Sequence, residues 1–238
     1  PLANQLYLDF APLRRLGDAL RQPFVAPLRV ACSETLAQPL LPQNIAALRR
    51  RFPDTPTTLS SQPLTEIVRR LLMDEADVGF SLSPCEHSGV DNHTLAQGKV
   101  QLLAPHGWLS PKQKYIALHD LAGQSMIGLL EPDPLSRLLD SKLQAVHPLP
   151  VINIQVQSYQ MVRSMVEAGE GLALVDPFTA VGAKKSGLDV CPLSPAIAVS
   201  LYALTPKGSI ISPALSALLD ITRQKAESLL ADQGLVTL

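Results

Sequence analysis

From Leu28 onward the chain alternates short apolar runs with stretches of helical period. "LRVAC" (Leu28–Cys32) has the pattern of a buried strand. Further on, Leu41, Ile45, Leu48 and Phe52 recur at i, i+4, i+7 and i+11, which is one face of a helix. Pro42 is tolerated in the first turn of that helix, and Pro53-Asp54 stops it. "TPTTLS" predicts a second strand because β-branched threonines suit a pleated surface. "PLTEIVRRLLM" predicts a second helix with Leu64, Ile67, Val68, Leu71 and Leu72 on one face, and "ADVGFSLS" a third strand. Strand, helix, strand, helix, strand with such short connections implies a parallel α/β sheet.

After a strand at Lys99–Ala104 and a Pro/Gly/Trp turn, a second α/β series begins. "QSMIGLLE" predicts a strand, then "PDPLSRLLDSKLQAV" a helix with Asp133 as N-cap and Pro134 at its first position. In "PVINIQVQ" Ile152, Ile154 and Val156 alternate with polar residues, as in a strand. "SYQMVRSMVEAG" predicts a helix capped by Ser158 and ended by Gly169 in a left-handed turn. "GLALVD" and "VSLYALTP" are further strands, and "PALSALLDITRQKAESLLADQG" is a closing helix. The expected division is residues 28–103 with 205–238 in one lobe and 104–204 in a second, after a leading segment 1–27.

Composition narrows the function classes. The chain has 238 residues, 46% hydrophobic and 17% charged, so it can bury a substantial core. Its net charge of −1, with no dense Lys/Arg stripe, argues against this chain binding nucleic acid unaided, since duplex binding rests on phosphate neutralisation. No apolar run is long enough to span a membrane. The start lacks both a signal-peptide pattern and an initiator Met, which predicts a segment of a longer protein. Three widely spaced cysteines suit a reducing cytoplasm better than a secreted disulfide scaffold. Cys85-Glu86-His87 with His93 lacks a second paired ligand motif, so it reads as a surface loop and no metal is expected.

Enzyme signatures fail one by one. The Gly-x-Gly in "AGEGLAL" follows a helix and precedes a strand, the reverse of a dinucleotide fingerprint. "GFSLS" lacks the second glycine of a nucleophile elbow, and no phosphate loop is present. No histidine stands in a recognisable catalytic spacing, so neither a catalytic residue nor a cofactor is expected. What remains is polar chemistry where strands end, the edge at which open parallel sheets bind ligands. The first strand runs into Ser33-Glu34-Thr35, the second into Ser60-Ser61, the third into Ser81. In the second series the strands end in Glu131, Gln157 and Asp176. Such a lining suits a small polar ligand held between two lobes.

Two stretches carry a family resemblance. "LRRLGDALRQPFVAPLRVACSETLAQPLLPQNIAALRRRFPD" resembles the end of the linker helix, first strand and first helix of LysR-type transcriptional regulators. "MVEAGEGLALVDPFTA" resembles the helix, glycine and strand signature late in their effector-binding domains, and its ending is similar to opine- and amino-acid-responsive members. The resemblance implies a fold like that of periplasmic binding proteins: two Rossmann-like α/β lobes, joined by two crossover strands, with an effector between them. It implies ligand contacts from Ser33, Thr35, Ser61, Ser81, Gln157, Asp176 and Phe178. It implies a cytoplasmic homodimer or tetramer assembled through these lobes, with Pro39–Phe52 and Thr55–Ser60 as the expected contact of one subunit on its partner's second lobe. DNA would be bound only through a helix-turn-helix that this sequence does not contain. A solute-binding protein of a transport system shares the fold and is the alternative. Charge placement sharpens the expectation: Ser33 and Thr35 before a helix suit a carboxylate, with Glu34 turned away, and Glu131 and Asp176 suit an ammonium or guanidinium. An amino-acid-like effector satisfies both ends. The competing reading of Asp176 is a turn in which its carboxylate bonds its own backbone.

Overall fold

The computed structural model describes residues 26–232, so the expected linker-helix end lies outside the described residues. Along the chain the strands are β1 (Leu28–Cys32), β2 (Thr57–Ser61), β3 (Val78–Ser81), β4 (Val90–Lys99) and β5 (Gln101–Ala104). They continue with β6 (Ser125–Leu129), β7 (Val151–Val156), β8 (Ala173–Val175), β9 (Asp189–Pro192) and β10 (Ala198–Pro206). The helices are α1 (Glu34–Ala37), α2 (Leu41–Arg51), α3 (Leu64–Leu72), α4 (Pro134–Leu143), α5 (Tyr159–Glu167) and α6 (Pro213–Asp232).

One sheet has the order β2-β1-β3-β10-β4. Its β1, β2 and β3 are parallel, with Val30 beside both Leu59 and Val78, as the short strand–helix connections require. β10 runs antiparallel to β3 and β4. The second lobe has a β8-β5-β9 sheet and a parallel β6-β7 pair, tied together by a bridge between Met126 and Leu172. Two chain crossings join the lobes. They lie side by side at Val100, whose N–H donates to the Ile197 carbonyl at 2.9 Å. The lobe boundaries therefore fall earlier than expected: β5 belongs wholly to the second sheet and β10 wholly to the first. Apolar runs mark strands but not the sheet each one joins. Lys99–Ala104 read as one strand, yet it is the end of β4, the crossing and β5.

Local chemistry explains most boundaries. α2 buries Leu41, Asn44 and Leu48, carries Pro42 in its first turn, and ends in Arg49-Arg50-Arg51, cations that suit the negative end of a helix. Asp133 and Ser158 cap α4 and α5 as expected, accepting from the Ser136 N–H at 2.7 Å and the Met161 N–H at 3.3 Å. Gly169 closes α5 at φ +86°, a conformation that favours glycine. At Gly79 an added Cβ would lie 2.3 Å from Ile67 Cγ2, so glycine is what lets α3 rest on β3.

One buried cluster spans both lobes. Cys32, Leu36 and Phe80 of the first lobe share it with Leu103, Ile127, Val175 and Phe178 of the second. A further cluster, with Leu102, Ile116 and Leu139, fills the second lobe, and another, with Ile67, Leu71 and Leu204, lies under α3. Alternation along β5 is therefore functional geometry: Leu103 looks toward the interlobe core, while Leu102 and Ala104 look away from it.

Candidate functional site between the lobes

β1, β2 and β3 end together, with Cys32 beside both Ser61 and Phe80. This brings Ser33, Ser61 and Ser81 to one sheet edge, as the sequence predicted. The Ser33 N–H extends the ladder by donating to the Phe80 carbonyl at 2.9 Å. Its Oγ is buried and has no hydrogen-bond partner among the described residues. Ser81 is buried and accepts the Ser83 N–H at 3.0 Å, while Ser61 is exposed. Glu34 is exposed, in keeping with the expectation that it turns away. The helix after Ser33 is a single turn, and the serine side chain does not cap it. A strong anion site from a long helix is therefore not what this corner supplies.

Across the interface, Asp176 follows β8 with its side chain fully buried. Its Oδ1 accepts the N–H groups of Phe178 at 2.8 Å and Thr179 at 2.9 Å. Its Oδ2 accepts the hydroxyls of Thr35 at 2.7 Å and Thr179 at 2.5 Å. The two threonine oxygens are themselves 2.8 Å apart. The acceptor sites of Asp176 are taken by a turn and by the other lobe, the arrangement of the competing turn reading. The expected separation of charges fails for the same reason, since Thr35 and Asp176 touch rather than facing opposite ends of an effector. Burial pushes the Asp176 carboxyl up, opposed by the Thr179 hydroxyl and N–H, the Thr35 hydroxyl and the Phe178 N–H.

Phe178 is buried in the interlobe cluster and packs there without an exposed face. Glu131 and Gln157 lie just beyond β6 and β7, but their side chains are exposed and neither joins the Thr35–Asp176 contact. Sequence reasoning missed four contributors. Thr179 stands three residues after Asp176, the spacing of a turn-capping pair, which was a usable signal. Gln38 and Gln160 form a second bond across the lobes at 3.0 Å and had none. Gln101 is a buried amide within the apolar run "VQLLA", an anomaly visible in the sequence.

Arg163 braces the segment after Asp176 against α5, donating to the Val181 carbonyl at 2.7 Å and the Ser186 hydroxyl at 2.8 Å. Tyr159 donates to Asp133 at 3.2 Å, and its phenol is pushed up by burial first, then by Asp133, Asp176 and Asp140. A cavity of about 40 Å³ lies inside the second lobe, between Met126, Leu139, Asp140, Tyr159 and Val162. A cavity of about 150 Å³ holds benzene, so this one is too small for an amino acid. Cys85 is buried rather than in a free loop, and His93 lies in β4 facing Thr205 at 3.1 Å. Among the described residues no three metal-ligating side chains converge.

The comparisons with known proteins agree with this architecture. The regulator DgcR of a Pseudoalteromonas species is 21% identical over 91% of this chain and 75% of its own length. Regulatory protein NocR of Agrobacterium tumefaciens is 24% identical over 70% of this chain and 55% of its own length. The crystal structure of HinK, a LysR-family regulator of Pseudomonas aeruginosa, superposes with a TM-score of 0.72 at 23% identity, covering 96% of this chain and 81% of HinK. These relatives are transcriptional regulators, not transport proteins, so the solute-binding alternative gives way. The family model for the LysR substrate binding domain matches residues 21–227, and the chain belongs to that family.

Proposed function

We propose that this domain senses a small, amine-bearing, amino-acid-like effector held between its lobes and so governs a LysR-type regulator in the cytoplasm. One observation carries this reading: the buried Ser33 hydroxyl has no partner among the described residues, and it sits two residues from the Thr35–Asp176 contact. Asp176 is a buried carboxylate with no Lys, Arg or His bonded to it among the described residues. An ammonium beside it is favoured and a second carboxylate is opposed, so the effector end at Ser33 is cationic or neutral rather than anionic. Ser61 and Ser81 complete the first lobe's edge, and Glu131 and Gln157 the rim of the second. Asp176, Thr35 and Phe178 shape the wall.

The chain spans 75% of DgcR and 55% of NocR, and DNA recognition belongs to a helix-turn-helix elsewhere in the whole regulator. A homodimer through the lobes fits two edge strands. Among the described residues β2 ends one sheet with Leu59 exposed, and β7 pairs only with β6 and exposes Val151 and Ile152. Pairing the α2–β2 side of one subunit with the second lobe of its partner makes a two-fold, isologous contact.

A thermal-shift screen of amino acids, opines, polyamines and simple aromatic acids tests the effector class. Amine-bearing compounds at about 100 times Kd stabilise by about 2.7 kcal/mol, a shift of roughly 5–10 °C for a chain of this size. Stabilisation by aromatic acids alone would refute the reading.

A further inference from the structure

Gln101 is 1% exposed at the start of β5, immediately after the crossing between lobes. Its Nε2 donates to the Lys99 carbonyl at 3.0 Å. That bond fixes the amide's orientation, with nitrogen toward the crossing and carbonyl oxygen away from it. The oxygen, Oε1, is buried and has no hydrogen-bond partner among the described residues. Buried amide carbonyls are nearly always paired, and an unpaired one is costly, so its retention calls for a reason.

Its direction follows from the strand. Gln101 shares a face of β5 with Leu103, which belongs to the cluster spanning both lobes. It stands opposite Val175, a member of the same cluster and the residue before Asp176. A leucine or valine here would continue the apolar face on which Leu103 and Val175 lie. The chain instead keeps a buried acceptor on that face.

We propose that Gln101 is a specificity-determining residue of the effector site, its Oε1 accepting an N–H from the amine of the bound effector. This rests on the interlobe reading above and deepens it. An acceptor rejects a carboxylate and selects a donor, which is the same preference that Asp176 imposes electrostatically. Because the other end of the amide is bonded to Lys99, the contact also links the effector to the peptide at which the lobes cross.

The test compares the wild-type chain with Gln101→Met, which keeps the length and removes the acceptor. Gln101→Leu serves as a second variant should methionine overpack. Without added compound, both unfolding midpoints are expected to lie close to wild type, because the gain from removing a buried unpaired oxygen is offset by the lost bond to the Lys99 carbonyl. A fall of both midpoints by more than about 6 °C, beyond what losing the Lys99 bond costs, overturns the proposal, since Oε1 would then be satisfied within the fold. The binding arm uses L-ornithine and L-arginine as amine probes, pentanoate as an amine-free acid and myo-inositol as a neutral hydroxyl donor. Wild type should be stabilised by an amine probe and not by pentanoate, and the variants should lose at least about tenfold in affinity for it. Unchanged affinity in the variants overturns the proposal. Stabilisation of wild type by myo-inositol alone, even if lost in the variants, overturns the proposal, since the donor read is then not an amine. Stabilisation by pentanoate alone, or by no probe, overturns the selection of an amine by Gln101.

Discussion

Replacing Asp176 by alanine removes the acceptor of four hydrogen bonds in a site closed to solvent. The Thr35 and Thr179 hydroxyls, 2.8 Å apart, can then bond each other and recover one donor. The N–H groups of Phe178 and Thr179 and one hydroxyl stay buried without a partner. At about 1–3 kcal/mol for each, the loss is roughly 3–9 kcal/mol. Removing a desolvated charge returns part of this, and taking one partner out of such a buried charged network typically leaves a net cost of about 3–5 kcal/mol. For a domain of this size that lowers the unfolding midpoint by on the order of 10 °C. Asp176→Asn should cost only about 1 kcal/mol, because its carbonyl can still accept both N–H groups while the hydroxyls rotate to accept from the amide nitrogen. Urea unfolding followed by circular dichroism measures both variants, and a cycle with Thr35→Val isolates the bond between lobes. A coupling energy near zero between Thr35→Val and Asp176→Ala would show that the lobes are not held through this pair. A cost below about 1 kcal/mol for Asp176→Ala would refute the count of lost partners.

The pH dependence follows from the direction of the Asp176 shift. Burial raises its folded value above the ordinary one, so its contribution to stability is fully present below the ordinary carboxylate range and is lost as pH rises through the raised value. Wild type should therefore gain stability over Asp176→Asn on acidification from neutral pH, and the opposite slope in paired urea titrations contradicts the assignment. All three cysteines are buried, and burial pushes the Cys32 thiol up to about 12, so a thiol reagent at pH 8 should label the folded chain far more slowly than the denatured one. Rapid labelling of the native chain would show that these sites open. Light scattering at micromolar concentration should give a dimer, weakened to monomer by Leu59→Lys with Ile152→Lys, and a monomeric wild type would remove the edge-strand contact.

Periodicity placed α2, α3, α4 and α5, each of which buries one face, while β1 and β3 were legible as short apolar runs and β2 from its β-branched threonines. Asp133 and Ser158 could be read as caps since their partners lie three residues away. The division into lobes was less legible: whether β5 pairs with β8 or with β4 is decided by contacts about 70 residues apart in sequence, which no local pattern encodes. The strand-end serines were found because strand ends are local features. The fate of Asp176 was not, because its fourth partner, Thr35, lies 141 residues away. A carboxylate followed by proline looks the same whether it faces a ligand or a turn, and only the burial of both lobes' hydroxyls separates the two.

That long-range bond also bears on how an effector acts. The Thr35–Asp176 hydrogen bond connects the lobes through the protein's own groups, and a charged bond of this kind is worth about 1.5–3 kcal/mol. On a two-state scale this biases the lobes toward the joined arrangement by roughly 10- to 150-fold before any effector binds. An effector can shift that balance only through a difference in affinity between the joined and parted forms, so a ligand contacting one lobe alone would change little. Ser33 lies on the first lobe and Gln101 at the crossing on the second lobe's face. On the proposed site, an effector that contacts both residues is bound fully only when the lobes are together. Effector and latch then act in the same direction, and weakening the latch by Thr35→Val must lower effector affinity even though the valine touches no effector atom.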